Sequence, residues 1–245
     1  MKTDQKDKLF SKPIDRIADF AFNQEVVSVF PDMISRSVPG YSTIIAMTGV
    51  LARRYATENS HIYDLGCSLG ASLFSMQQQI TSSNVALIGI DNSKAMIERC
   101  QTLLAAQPAS GIHCQLLCQR IENSVIENAS VVVLNFSLQF IPLEQRQAII
   151  SKIHRGMQPG GILVLSEKIR FEDEHLNRLN IELHHEFKKA NGYSELEISQ
   201  KRSALEKVLI PETLDAHRQR LRTAGFANMD VWFQCFNFAS IIAIK

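Results

Sequence analysis

With 245 residues, 45% of them apolar and 21% charged, the chain is long enough to bury a full core and too balanced in composition to be disordered or fibrous. Its formal charge of +1 lacks the basic surplus of a protein that grips RNA by its phosphates, which argues against direct nucleic-acid binding. No stretch approaches the length of a membrane span, and the charged start Met1-Lys-Thr-Asp-Gln-Lys-Asp-Lys8 has no apolar run behind it, so neither signal peptide nor anchor is expected and the setting is cytoplasmic. Five cysteines without regular spacing fit a reducing compartment, and Cys114 and Cys118, in an apolar segment with no second ligand pair nearby, predict no metal.

Apolar side chains at Ile14, Ile17, Ala18, Phe20 and Ala21 predict a short amphipathic helix over 14–22, inside an N-terminal helical segment (1–40) that Pro39-Gly40 closes. Tyr41 stands at the start of the next helix, which Ser42 can cap and which runs to Arg53 or Arg54. Strands are predicted near 61–65, 85–90, 112–117, 131–136 and 162–166, with helices near 70–80, 93–106 and 143–156 between them. That alternation requires a parallel sheet with helices on both faces. The turn at Pro159-Gly160-Gly161 separates the last of these helices from its strand, and residues 168–212 then read as a charged helical insertion. Asp230 to Phe236 and Phe238 to Ile244, joined at Asn237, predict a closing antiparallel hairpin. The expectation is one α/β domain over 41–245, with a seven-stranded, mostly parallel sheet.

Chemistry concentrates where the first strand meets its helix, at His61-Ile-Tyr-Asp64-Leu-Gly66-Cys67-Ser68-Leu-Gly70. Gly66 and Gly70 allow a sharp turn and close backbone approach to a ligand, while Asp64 either supports the loop or meets a cationic group. The next strand, Val85-Ala-Leu-Ile-Gly-Ile90, ends at Asp91-Asn92, about 20 residues past the glycine turn, where a carboxylate accepts from ribose hydroxyls. An adenosine-containing cofactor follows. Nicotinamide enzymes usually carry G-x-G-x-x-G, whereas the spacing here is Gly66-x-x-x-Gly70, which tilts the cofactor towards S-adenosylmethionine.

The Pro-Gly-Gly turn and the terminal hairpin resemble the Rossmann-like class I methyltransferase fold. A closer resemblance lies in Phe30-Pro-Asp-Met-Ile, Arg36-Ser-Val-Pro-Gly-Tyr41-Ser, Tyr63-Asp-Leu-Gly-Cys-Ser-Leu-Gly70, Leu134-Asn135-Phe, Lys189-Ala-Asn-Gly-Tyr-Ser-Glu-Leu-Glu-Ile-Ser-Gln-Lys-Arg202 and Trp232-Phe-Gln-Cys-Phe-Asn-Phe. Together these resemble the carboxy-S-adenosyl-L-methionine synthase family almost end to end. The resemblance implies conversion of S-adenosyl-L-methionine and prephenate into carboxy-S-adenosyl-L-methionine and phenylpyruvate. In that chemistry the sulfonium methyl group loses a proton to give an ylide, which captures CO₂ as prephenate decarboxylates and loses hydroxide. It further implies a homodimer, and a partner enzyme that uses the product to carboxymethylate the wobble uridine of certain tRNAs, which would account for the missing basic surplus here.

By the same resemblance Tyr41, Gly66, Cys67, Ser68, Asp91, Asn92, Ile121, Asn135 and Arg202 match cofactor-contacting positions. Arg202 distinguishes the family, because the product carries an extra carboxylate for which guanidinium offers a two-pronged partner. Asn135, polar in the apolar run Val131 to Phe136, is either a satisfied core amide or a ligand contact. One place departs from the family pattern: Gln119-Arg120-Ile121 stands where relatives carry Gly-Asp-Ile. Arg120 cannot accept from the adenine amine and is set aside, whereas the Ile121 backbone N–H remains suited to the ring. Three side chains invite a chemical role that the sequence does not support: a shared metal or acid-base role for two histidines, and a nucleophile at Cys67, which reads instead as a small loop residue beside the ligand. His184 and His185, adjacent on a helix, point to different faces. Cys67 has no histidine or lysine beside it in sequence to lower its pKa. No residue stands out as a general base. An ordinary small-molecule methyltransferase would need the same corner without Arg202, and a catalytically silent cofactor-binding subunit would suit the change at Gln119-Arg120.

Overall fold

The computed structural model describes residues 5–108 and 111–245. Helices α1 (Gln24–Ser37) and α2 (Tyr41–Tyr55) precede five parallel strands, β1 (His61–Leu65), β2 (Ala86–Asp91), β3 (His113–Cys118), β4 (Ala129–Asn135) and β5 (Met157–Lys168). Helices α3 (Ala71–Gln79), α4 (Lys94–Ala105) and α5 (Leu143–Gly156) lie between strands, and α6 (Glu174–Ala190), α7 (Glu195–Leu205) and α8 (Leu214–Ala224) follow β5. The sheet closes with β6 (Asn228–Cys235) and β7 (Phe238–Ile244), in the order β3-β2-β1-β4-β5-β7-β6. β7 is antiparallel to both β5 and β6, so the predicted hairpin inserts its second strand next to the parallel sheet.

Period-two alternation sorts the strand side chains into two cores. Tyr63, Leu65, Val132 and Leu134 pack with Ile149, Ile150 and Ile153 of α5 on one face. Ile62, Val131 and Val133 pack with Ala52 of α2 and with Leu73 and Met76 of α3 on the other. Central strands buried on both faces read as continuous apolar runs, which is why β2 and β4 stand out in the sequence. The Pro159-Gly160-Gly161 segment lies inside β5. Ala129 pairs with Met157 and Val131 with Ile162, so the intervening residues bulge opposite a single position of β4.

The N-terminal region departs from its expected form. Residues 14–22 contain no helix. Ile14 N donates to Gln200 Oε1 at 2.8 Å and Phe20 N to Ala204 O at 2.9 Å, so bonds to α7 replace the local ladder that the periodicity suggested. The helix of this region is α1, which continues through Pro31. An Asn23 cap and burial of Val26, Val27, Val29 and Met33 offset the lost backbone bond. α2 begins at Tyr41, with Gly40 rather than Ser42 at its N-cap, and no side chain caps it. Gly40 has φ +73°, and a Cβ there would meet the Phe233 ring at 2.1 Å. Both facts demand glycine.

Candidate active site at the carboxyl ends of the strands

The β1–α3 loop is anchored from beneath by β2. Gly66 N and Cys67 N both donate to Ile90 O, at 2.7 and 2.9 Å. Gly66 has φ +86°, and a Cβ would fall 2.1 Å from Ser137 Oγ, so the turn packs directly against Ser137 and has room for glycine alone. Asp91 fixes the far side. Its Oδ2 accepts from Ser68 N at 2.9 Å and its Oδ1 from Ser93 N at 2.8 Å. A carboxylate has about four acceptor positions, so these two bonds do not exhaust it. Burial raises the Asp91 carboxyl pKa, while backbone N–H groups at Ser93, Ser68 and Asn92 pull it back.

Asp64 lies behind the loop, 2% exposed and outside the cavity wall, with Oδ2 unpartnered. Burial and then Asp91 push its carboxyl up to about 7. Asn135 answers both alternatives left open by the sequence. Its amide donates to Ser72 Oγ at 2.9 Å and Thr48 Oγ1 at 3.3 Å, and accepts from Ser166 Oγ at 2.6 Å, yet it also faces the cavity. A network satisfied this way locks the amide in one orientation.

All nine residues singled out, Tyr41, Gly66, Cys67, Ser68, Asp91, Asn92, Ile121, Asn135 and Arg202, line one cavity of about 570 Å³, within the range of small-molecule sites. Cys67 is buried beside the free thiol of Cys100, and the hydrogen bond between the two thiols, with burial, raises its pKa, so it is no thiolate nucleophile. Arg120, set aside above, also lines the cavity and forms an ion pair with Glu122 at 2.5 Å. Among the described residues, no group of three or more His, Cys, Asp or Glu side chains is placed to hold a metal.

The opposite wall is cationic. Lys168 from the end of β5, His184, His185 and Lys188 from α6, and Lys201 and Arg202 from α7 all reach the same cavity. His184 Nε2 lies 2.8 Å from Ser37 O, a carbonyl that can only accept, so Nε2 carries a proton and donates. Burial, then the Lys188 and Lys168 charges, hold its pKa well below the ordinary value. Lys201 is tied to Ser37 Oγ at 3.0 Å and lies 3.6 Å from Asp7, whose carboxylate also accepts from Tyr193 OH at 2.5 Å. Asp7 thereby pins the N-terminal segment to α7, and Phe20 and Phe22 of that segment join the cavity wall.

The sequence reading missed Lys168, Lys188 and the two histidines. Two signals were present. Lys168 follows an apolar strand at its carboxyl end, where sites open in parallel sheets, and His184 with Lys188 share a helix face at i, i+4 spacing.

A methyltransferase domain model matches residues 62–161. The carboxy-S-adenosyl-L-methionine synthase of Trichlorobacter lovleyi is 58% identical over 99% of this chain and 100% of its own length. That of Citrifermentans bemidjiense is 56% identical with the same coverage, and that of Mannheimia succiniciproducens is 55% identical over 98% of this chain and 99% of its own. Among solved structures, human N-acetylserotonin methyltransferase in complex with SAM superposes with a TM-score of 0.61 at 13% identity, covering 91% of this chain and 55% of that one. Magnesium protoporphyrin IX methyltransferase from Synechocystis gives a TM-score of 0.57 at 16% identity, over 93% and 86%. The structural likenesses establish the Rossmann-like methyltransferase fold, and the near-full-length identities place this chain in the carboxy-S-adenosyl-L-methionine synthase family.

Proposed function

We propose that the protein converts S-adenosyl-L-methionine and prephenate into carboxy-S-adenosyl-L-methionine and phenylpyruvate. Its product would pass to a tRNA carboxymethyltransferase. The observation that carries the reading is Arg202, which shares a cavity with Asp91 and Gly66 and has no carboxylate within ion-pair distance among the described residues. S-adenosylmethionine carries one carboxylate, on its amino-acid moiety, whereas the carboxylated sulfonium carries a second, for which the guanidinium is a two-pronged partner.

The residues fit S-adenosylmethionine. Gly66, on the cavity wall, presents backbone to the amino-acid moiety, the remaining acceptor capacity of Asp91 suits ribose hydroxyls, and Ile121 opens a short 3-10 turn at the place suited to adenine. S-adenosylmethionine supplies the sulfonium methyl carbon that gains the carboxyl group. The chain's own part is to hold both reactants together and keep water out, with Phe20, Phe22 and Phe140 forming apolar wall. A homodimeric, cytoplasmic setting belongs to the same reading. Leu176, Leu179 and Leu183 remain exposed along α6 and offer one apolar stripe to a second copy.

Mass spectrometry of small molecules released from natively purified protein tests the reading. A species one CO₂ heavier than S-adenosylmethionine is expected, together with prephenate-dependent turnover by the pure protein. Methyl transfer releasing S-adenosylhomocysteine, indifferent to prephenate, would replace the synthase by a methyltransferase. Arg202→Ala is expected to cost the carboxylated product roughly tenfold or more in affinity while leaving S-adenosylmethionine nearly unaffected. Equal losses for both ligands, measured by calorimetry, would remove the carboxylate contact.

A further inference from the structure

The protein solvates its other buried cations carefully. Lys152 Nζ donates to three carbonyls, those of Ile121, Glu122 and Ser124, at 2.8 to 3.0 Å. Arg146 donates to Ile141 O, Gln139 O and Ile210 O and pairs with Glu212. Lys201 has Ser37 and Asp7. Lys168 and Lys188 depart from that pattern. Among the described residues, neither ammonium has a carboxylate within ion-pair distance, and both side chains line the cavity, although Lys188 is only 8% exposed and Lys168 is half-buried. Their charged surroundings are like-signed: Lys168, Lys201 and Arg202 around Lys188, and Arg202 near Lys168. Burying cations together without counter-charge is costly unless an anion completes the site.

We propose that Lys168 and Lys188 form a second anion subsite, beside the S-adenosylmethionine corner, that takes the carboxylates of a dicarboxylate co-substrate. On the reading above, on which this inference rests, that co-substrate is prephenate. Two lysines on separate elements, β5 and α6, suit two separate carboxylates, and Arg202 stays available for the carboxyl group created on the sulfonium methyl carbon. Ile181, Leu205, Leu209 and Phe238 line the same cavity and offer apolar surface to a six-membered carbocycle. Burial, reinforced by neighbouring cations, lowers the Lys188 pKa to about 7 and that of Lys168 to about 8, so a bound dianion would recharge both.

The test uses prephenate titrated into the full chain loaded with S-adenosylhomocysteine, which has no sulfonium methyl group and cannot react. Wild-type protein is expected to bind. Lys168→Met and Lys188→Met should each weaken prephenate roughly tenfold to a hundredfold while S-adenosylhomocysteine binding stays unchanged. Their Tm should hold or rise, because an apolar chain replaces a buried unpaired cation. Lys188→Arg should restore part of the prephenate affinity. If wild type and both Met variants bind prephenate equally, the subsite is refuted while the synthase reading stands. If wild type neither binds nor consumes prephenate, that reading fails and carries the subsite with it.

Discussion

Asp91→Ala is expected to weaken S-adenosylmethionine by about two orders of magnitude, since two hydrogen bonds to a charged acceptor are lost at about 1.5 kcal/mol or more each. The carboxylate does two jobs with four acceptor positions. Backbone N–H groups, Ser68 N and Ser93 N among them, take part of that capacity and hold the glycine loop and the start of α4, and on the proposed reading the remainder serves ribose hydroxyls. Removing it therefore takes the ligand's acceptors and orphans these two backbone N–H groups. Asp91→Asn, which keeps an oxygen for one of those groups, should fall between alanine and wild type. Calorimetry with S-adenosylmethionine and S-adenosylhomocysteine should show the same loss for both, because the ribose is common to them. Undiminished affinity in the alanine variant would remove Asp91 from the ligand site.

Arg146→Ala should be the most destabilising single change outside the central sheet. The side chain is 1% exposed. Its guanidinium reaches Ile141 O at 2.8 Å, Gln139 O and Ile210 O at 3.0 Å, and Glu212 at 2.5 Å. Truncation takes the donor from Ile141 O and Ile210 O and leaves Glu212 to Arg220 alone, and breaking a buried pair costs about 3–5 kcal/mol. For a chain of this size that corresponds to a Tm lower by roughly 10 °C, readable by scanning calorimetry. Arg146→Lys should rescue little, because one ammonium cannot span acceptors on both the 139–141 and 210–212 segments. The tie also has a pH signature. Burial alone would raise the Glu212 carboxyl, but Arg220 and Arg146 outweigh it and hold the pKa below the ordinary 4.5. With the folded value depressed, the contribution is complete above the unfolded pKa and is lost as pH falls through the folded one. The wild-type advantage over Arg146→Ala should accordingly shrink in acid. A Tm indistinguishable from wild type at neutral pH would contradict this account.

What the sequence disclosed and what it hid follow from the physics of each segment. β2 and β4 were legible because strands covered on both faces are apolar throughout, and the corner was legible because Gly66 and Asp91 have few other reasons to occur at that spacing. α1 was hidden by Pro31, whose cost is offset only by side chains packed from elsewhere in the fold. The helix expected over 14–22 failed for the converse reason, since Gln200 and Ala204, far away in sequence, supply the backbone partners. The cationic wall was the least visible part. Lys188 sits in a charged helix and looks like any solvated lysine until α6 is laid against the cavity. His184 and His185 were dismissed as pointing apart, and they do diverge by about 100°, but the cavity is broad enough to meet both.

The place of β7 between β5 and β6 has a bearing on how the molecule assembles. Everything from residue 169 to 237, including α6 and α7, is looped out between two strands that must pair. Until β7 docks, the edge of β5 is an open template for pairing with another chain, and contacts of such wide sequence separation form slowly. Pairing of β7 with β5 thus fixes both ends of the segment that carries Lys188 and Arg202. Substitutions at Ile241 or Ala243, which pair with Leu165 and Leu163 of β5, are expected to lower the yield of folded protein, measurable as the soluble fraction on refolding.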